Sequence, residues 1–153
     1  MQIGIVVRDL DATMRRYTDD YRIGPWQVHQ LKREDIKEWF EHGQPVEPST
    51  RIATAMVGHV QWGLIQPLDD QSIFARFLAQ RGEGVHHIAV AAANYDETLE
   101  AEAQRGNELV LSCELAGKFN GIKVAYLGTQ RDLGVILEIF SGLPDSTNET
   151  ASH

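Results

Sequence analysis

Apolar residues fall in short clusters along this chain, and the spacing inside each cluster says which element it builds. Ile3 to Val7 is β-branched and interrupted only by Gly4, which suits a strand buried on both faces. Asp9 follows as a capping residue, and Leu10, Met14 and Tyr17 recur at helical spacing, predicting a helix to about Tyr17. Gly24-Pro25 then breaks the chain ahead of a strand at Trp26 to His29. Arg51 to Val57 and Val60 to Ile65 read as two strands joined tightly at Gly58-His59. From Ser72 to Leu78 the apolar positions return to helical spacing, with Gly82 as the stop. A strand from His87 to Ala92 leads to a helix from Tyr95 to Gln104, and Gly106 ends it. Strands follow at Glu108 to Cys113, Ile122 to Leu127 and Val135 to Phe140, with Arg131-Asp132 as a turn before the last.

This order of elements repeats. A shift of 85 residues lays His87-Ile88-Ala89-Val90 over Gln2-Ile3-Gly4-Ile5, Asp96 over Asp11, Thr98 over Thr13 and Leu99 over Met14. Trp62-Gly63-Leu64-Ile65 likewise lies over Leu137-Glu138-Ile139-Phe140. Two copies, where a solenoid needs three or more, imply a tandem pair of β-α-β-β-β modules sharing one core. The expected layout is an α+β domain over residues 1–143, with module one at 1–68, a linking helix at 71–81 and module two at 85–143. A polar, flexible tail is expected over 144–153. The segment from Lys32 to Pro48 has no counterpart in the second half. Its alternating charge around Trp39 and Phe40 predicts an inserted loop or short helix, either covering a site or docking its aromatic pair on the core.

Composition narrows the classes of function. The net charge of −8 argues against a nucleic-acid surface, which needs clustered Lys and Arg. No apolar run approaches the roughly 20 residues of a membrane span, and the start Met1-Gln2-Ile3 leaves no room for a signal peptide. The expectation is a soluble cytoplasmic protein with neither nucleic acid nor membrane as partner. Cys113 is the only cysteine and sits in the apolar run Leu109 to Cys113, so it reads as a packed thiol.

Glu138 carries the strongest chemical signal, because a carboxylate inside Val135-Ile136-Leu137-Glu138-Ile139-Phe140 is costly to bury without a cation, a hydrogen-bond network or a metal. The bland alternative is an edge strand with Glu138 facing water. His87 alone would read as a packed histidine, but the repeat brings position 87 opposite position 2 and position 138 opposite position 63 if the modules pair about a twofold axis. Those four positions would converge on one cavity.

The paired modules, the opening Ile3 to Leu10, the junction Gly82-Glu83-Gly84-Val85-His86-His87-Ile88-Ala89 and the closing Gly134 to Ile139 resemble the vicinal oxygen chelate superfamily. Within it, Ile65-Gln66-Pro67-Leu68 and its spacing to that junction are most similar to the methylmalonyl-CoA epimerases and the glyoxalase-like proteins near them. The resemblance implies a half-barrel cavity, a homodimer, a small-molecule substrate and a divalent metal on four converging side chains. Carried over by position, these are Gln2, Gly63, His87 and Glu138, of which Gln2 offers only an amide oxygen and Gly63 offers nothing. Gln61 shares the strand face of Gly63 but lies about 7 Å along the strand. Gln2, His87 and Glu138 therefore stand as a three-ligand metal site, and a metal-free acid-base pair of Glu138 and His87 stands as its rival.

The implied chemistry is removal of a proton beside a carbonyl, leading to isomerisation, epimerisation or elimination, with Glu138 as base and His87 or its metal polarising an oxygen. Glu34, Glu41 and Glu47 could bring a second carboxylate or remain solvated. Lys118 and Lys123 are candidates for an anionic substrate group, and Trp26 and Trp62 for an aromatic or acyl group or for the core. The alternatives in function are a cavity that sequesters a ligand without chemistry and a ring-cleaving dioxygenase, which Gln2 disfavours.

Overall fold

Main-chain hydrogen bonds in the computed structural model, which describes residues 1–142, join ten strands into one curled half-barrel sheet. The tail expected over 144–153 lies outside the described residues. Module one supplies β1 (Gln2–Val6), α1 (Leu10–Tyr21), β2 (Gln27–Leu31), β5 (Thr50–Val57) and β6 (Val60–Pro67). Between β2 and β5 stand β3 (Ile36–Glu41) and β4 (Gln44–Pro45), and α2 (Ile73–Arg81) connects the halves. Module two supplies β7 (Gly84–Ala91), α3 (Tyr95–Gln104), β8 (Leu109–Leu115), β9 (Lys123–Leu127), α4 (Gln130–Leu133) and β10 (Ile136–Phe140).

The strand order β2-β5-β6-β1-β7-β10-β9-β8-β3-β4 shows the repeat directly. In each module the first strand pairs parallel with the last, β1 with β6 and β7 with β10. The modules meet where β1 runs antiparallel to β7, with Gly4 opposite His87. One face of the sheet is covered by helices. On module one, Val7, Leu10, Ala53 and Leu64 pack with Tyr17 and Trp26. On module two, Ala125, Leu127 and Ile139 pack with Tyr95 and Leu99. Asp9 caps α1 by accepting the Ala12 N–H at 2.9 Å, and the helix runs past the expected Tyr17 to Tyr21. The turn expected at Arg131-Asp132 is the single-turn α4.

The segment 32–48 corrects an expectation. It is neither loop nor helix beyond a 3-10 turn at Arg33–Asp35; it forms β3 and β4, and β3 pairs with β8 of the other module, Trp39 opposite Cys113. The physical reason is the edge of module two, since β8 would otherwise expose a row of unpaired N–H and C=O groups. Glu41 then ties β3 down. Almost fully buried, its carboxylate accepts the Ile73 N–H at the start of α2 at 3.0 Å and the Trp39 indole N–H at 3.1 Å, with Arg76 at 3.4 Å. No helix among the described residues is long and apolar enough to cross a membrane.

Candidate active site

The concave face of the sheet holds a cavity of about 820 Å³ whose two walls differ in chemistry. Strands of module one contribute neutral polar side chains, among them Gln2, Gln27, Gln61, Thr50 and Thr54. Strands of module two contribute Leu111, Cys113, Leu115 and Val124, with Phe74 of α2 beside them. His87, Tyr126 and Glu138 also line the cavity.

Glu138 Oε2 lies 3.0 Å from His87 Nε2, and both side chains are almost completely buried. The topology makes this contact, because parallel pairing of β10 with β7 brings Ile136 beside His87 and sets Glu138 two residues on, on the same face. Tyr126 is the cross-strand partner of Glu138 on β9, and its ring centroid is 4.7 Å from that of His87. Burial first, then the Glu138 charge, push the Tyr126 phenol well above its ordinary pKa. Cys113 is pushed up to about 12 by burial and then by the Glu138 charge, so it stays a thiol.

Gly4 makes room for this arrangement. A Cβ there would stand 2.1 Å from Cε1 of His87, inside the imidazole ring's own volume. Gly63 has a different neighbour: its missing Cβ would lie 3.3 Å from Nε2 of Gln2, whose amide donates to Gln61 Oε1 at 2.7 Å. Gln2 thus occupies the volume that a side chain at 63 would take.

The structure brings Gln2, Gly63, His87, Glu138 and Lys118 to the cavity, along with Gln61. It does not bring Trp26, Trp62 or Lys123. Trp62 follows Gln61 and precedes Gly63 on β6, so it faces the opposite side and packs edge-on against Tyr17 at 5.5 Å, as Trp26 does at 5.7 Å. Lys123 precedes the cavity residue Val124 and is exposed on the outer face, near the Lys37–Glu114 ion pair. Of the inserted carboxylates, Glu34 lines the cavity, Glu41 is bound beneath α2, and Glu47 is exposed near Arg33 at 3.7 Å.

Two histidines that spacing did not single out also matter. His29 lines the cavity on β2, its pKa lowered chiefly by burial and then by Lys118. His86 Nδ1 lies 3.0 Å from His87 Nδ1. Alternation along a regular strand would send His86 to the far face, so no sequence pattern pointed to that contact.

A metal is a matter of donors. Gly63 has no side chain, the Gln2 amide nitrogen donates to Gln61 so that only a neutral amide oxygen remains there, and among the described residues no group of three or more His, Cys, Asp or Glu side chains could hold a metal ion. His87 and Glu138 are two strong donors that face each other. This set does not fit a closed divalent-cation site.

Sequence comparison agrees with the fold. The profile of the Glyoxalase/Bleomycin resistance protein/Dioxygenase superfamily matches residues 1–126. The chain belongs to that superfamily. It is 32% identical over 111 residues to the uncharacterized protein YqjC of Bacillus subtilis (strain 168), across 72% of this chain and 79% of the relative. A hypothetical protein of Bacillus halodurans C-125 superposes with a TM-score of 0.69 at 23% identity, covering 96% of both chains. Methylmalonyl-CoA epimerase from Mycobacterium tuberculosis gives 0.65 at 25% identity, over 94% of this chain and 87% of that one. The Streptomyces coelicolor epimerase, solved in complex with 2-nitronate-propionyl-CoA, gives 0.66 at 24% identity over 92% of each.

Proposed function

We propose that this superfamily member is an enzyme that removes a proton from a carbon next to a carbonyl, with Glu138 as the base, and so catalyses isomerisation, epimerisation or elimination on a small molecule. The observation that carries the reading is the buried Glu138–His87 contact of 3.0 Å in the wall of a cavity large enough for a substrate. In the reacting step the C–H bond breaks, its proton passes to a Glu138 oxygen, and the electron pair moves onto the carbonyl oxygen. His87 and Tyr126 flank the carboxylate, while the amides of Gln2 and Gln61 and the Thr50 hydroxyl offer neutral polar groups from the facing wall. Thr50 Oγ1 is buried without a partner, which suits it to a group on the substrate.

The epimerase neighbours direct the choice of first substrates to 2-substituted acyl-CoA thioesters. In that setting Lys118 and Lys32 at the cavity are the cations available to an anionic substrate group. A cytoplasmic homodimer completes the reading. The test is deuterium uptake: the purified chain is incubated in heavy water with a panel of 2-methylacyl-CoA thioesters, and α-deuteration is followed by mass spectrometry. Parent protein is expected to exchange at least one thioester, and Glu138→Gln to lose 100-fold or more of that rate, the low end for a general base. A Glu138→Gln variant that exchanges as fast as the parent overturns the assignment. A second reading, a cavity that sequesters a ligand, is favoured by the single well-placed carboxylate; it requires tight binding with no exchange, retained in Glu138→Gln.

A further inference from the structure

The wall that faces Glu138 is polar without being charged, and its position is fixed by strand register. Gln2 of β1 and Glu138 of β10 both pair with Ala89 of β7, from opposite sides, so they stand in one cross-strand row, two strand spacings or about 10 Å apart at the backbone. A carbon within reach of Glu138 therefore has the Gln2 end of module one as its opposite wall. Gln61 is the next member of that row. Two residues on, Gly63 pairs with Thr54, which pairs in turn with Gln27 of β2. Because Gly63 has no side chain, Gln2 leans over it, and the amides and the Thr54 hydroxyl make a continuous surface.

The cations of the cavity lie at its mouth. Lys32 and Lys118 are the lysines that line it among the described residues, no arginine does, and both lysines are exposed, with the exposed Glu34 in the same rim. They flank two 3-10 turns, Arg33–Asp35 and Gly117–Phe119, which are joined where the Ala116 N–H donates to the Asp35 carbonyl at 2.8 Å. An anionic group beside the reacting carbon would thus leave water without meeting a lysine or arginine, and would approach the carboxyl of Glu138, an unfavourable burial.

The amide pair adds a geometric reason. Gln2 Nε2 donates to Gln61 Oε1 at 2.7 Å. Gln61 Nε2 and Gln2 Oε1 then have no side-chain partner among the described residues, and they offer a donor beside an acceptor. A carboxylate only accepts, so it satisfies the donor and repels the acceptor, whereas a carboxamide or hydroxyl pairs with both.

We propose that the substituent next to the reacting carbon is an uncharged group that both donates and accepts hydrogen bonds, a carboxamide or a hydroxyl, and that Gln61, held by Gln2, selects it against a carboxylate. The anionic part of the substrate belongs at the mouth, with Lys32 and Lys118. The proposal rests on the reading of Glu138 as the base, which places the reacting carbon.

The experiment is calorimetric titration of the full chain with two thioesters of one shape, methylmalonyl-CoA and the analogue in which its carboxylate is replaced by a carboxamide. The parent is expected to bind the carboxamide roughly tenfold or more tightly, the effect of one mispaired buried group. Gln61→Met keeps a side chain of similar length without the donors, so the carboxamide is expected to lose roughly tenfold in affinity and the carboxylate to change little. Gln61→Lys, which sets a cation in the wall, is expected to reverse the preference. A parent that binds the carboxylate as tightly as the carboxamide, or a preference unmoved by either variant, overturns the proposal. Binding of neither thioester overturns it together with the choice of thioesters as substrates. Titration reads binding alone, so a parent that prefers the carboxamide yet exchanges no α-proton overturns the proposed reaction and leaves the selection by Gln61 standing. One that exchanges the α-proton and prefers the carboxylate does the reverse.

Discussion

At the level of single residues, the site depends on an absence. Gly4 lies opposite His87 across the module seam, and the imidazole occupies the space where a Cβ at position 4 would project. Gly4→Ala is therefore an overpacking change against a buried ring, expected to destabilise by about 1–3 kcal/mol. Urea unfolding measures the loss, and the displaced ring should also alter the His87 imidazole resonances. By contrast Gly63→Ala meets only the end of the flexible Gln2 side chain at 3.3 Å, so its expected cost in the same assay is under about 1 kcal/mol. Glu138 and His87 were legible in the sequence because a carboxylate in an apolar run and a repeated histidine position each need an explanation. His86 was not, since the bulge that turns it, where His87 faces Gly4 and Val85 faces Ile5, is a property of pairing register, and Gly4 offered only the general hint that glycine inside a strand marks a close approach.

At the level of elements, apolar spacing made eight of the strands and three of the helices readable, and the internal repeat sorted them into two like modules around the linking helix. The segment 32–48 escaped that logic. Its partner is β8, with Glu41 opposite Leu111 and Ile36 opposite Leu115, and nothing local records a pairing with the edge of the other module. Glu41 is the residue that couples this insertion to the linking helix, accepting the N–H groups of Ile73 and Trp39, for which no other side-chain acceptor stands among the described residues. Glu41→Ala leaves both unsatisfied, at about 1–3 kcal/mol for each buried group. The expected outcome is a loss of about 2–4 kcal/mol in urea unfolding, discounted because Arg76 is half exposed and recovers its hydration. Glu41→Gln keeps an acceptor oxygen and should lose distinctly less. Equal losses in the two variants would mean that the charge, and not the acceptor, holds the insertion in place.

For the molecule as a whole, the buried groups of the site set the pH range over which the fold is most stable. Burial gives His86 a folded pKa of about 3 against an ordinary 6.5, so between those values the unfolded chain binds a proton that the folded chain refuses. Its contribution is complete above pH 6.5 and is lost as pH falls, at about 1.4 kcal/mol per pH unit inside that window. Cys113 acts at the other end: its folded pKa of about 12 exceeds the ordinary 9.0, so stability is complete below pH 9 and is lost as pH rises. The fold should therefore have a plateau between about pH 6.5 and 9 that belongs to the packing around one cavity. Asp11 and Glu114, held low by hydrogen bonds from Arg51 and Lys37, favour the folded state above the carboxylate range and lose that contribution only as pH falls through it, and being exposed they weigh little. The two origins separate in a urea-midpoint profile from about pH 4 to 10. His86→Phe should flatten the fall between about pH 6 and 4.5 and leave the alkaline limb unchanged, whereas Cys113→Ala should flatten only the onset of the alkaline limb, because Tyr126, raised by the same burial, continues it above about pH 10. An acid limb identical in parent and His86→Phe would assign acid sensitivity to the surface carboxylates and remove His86 from the account.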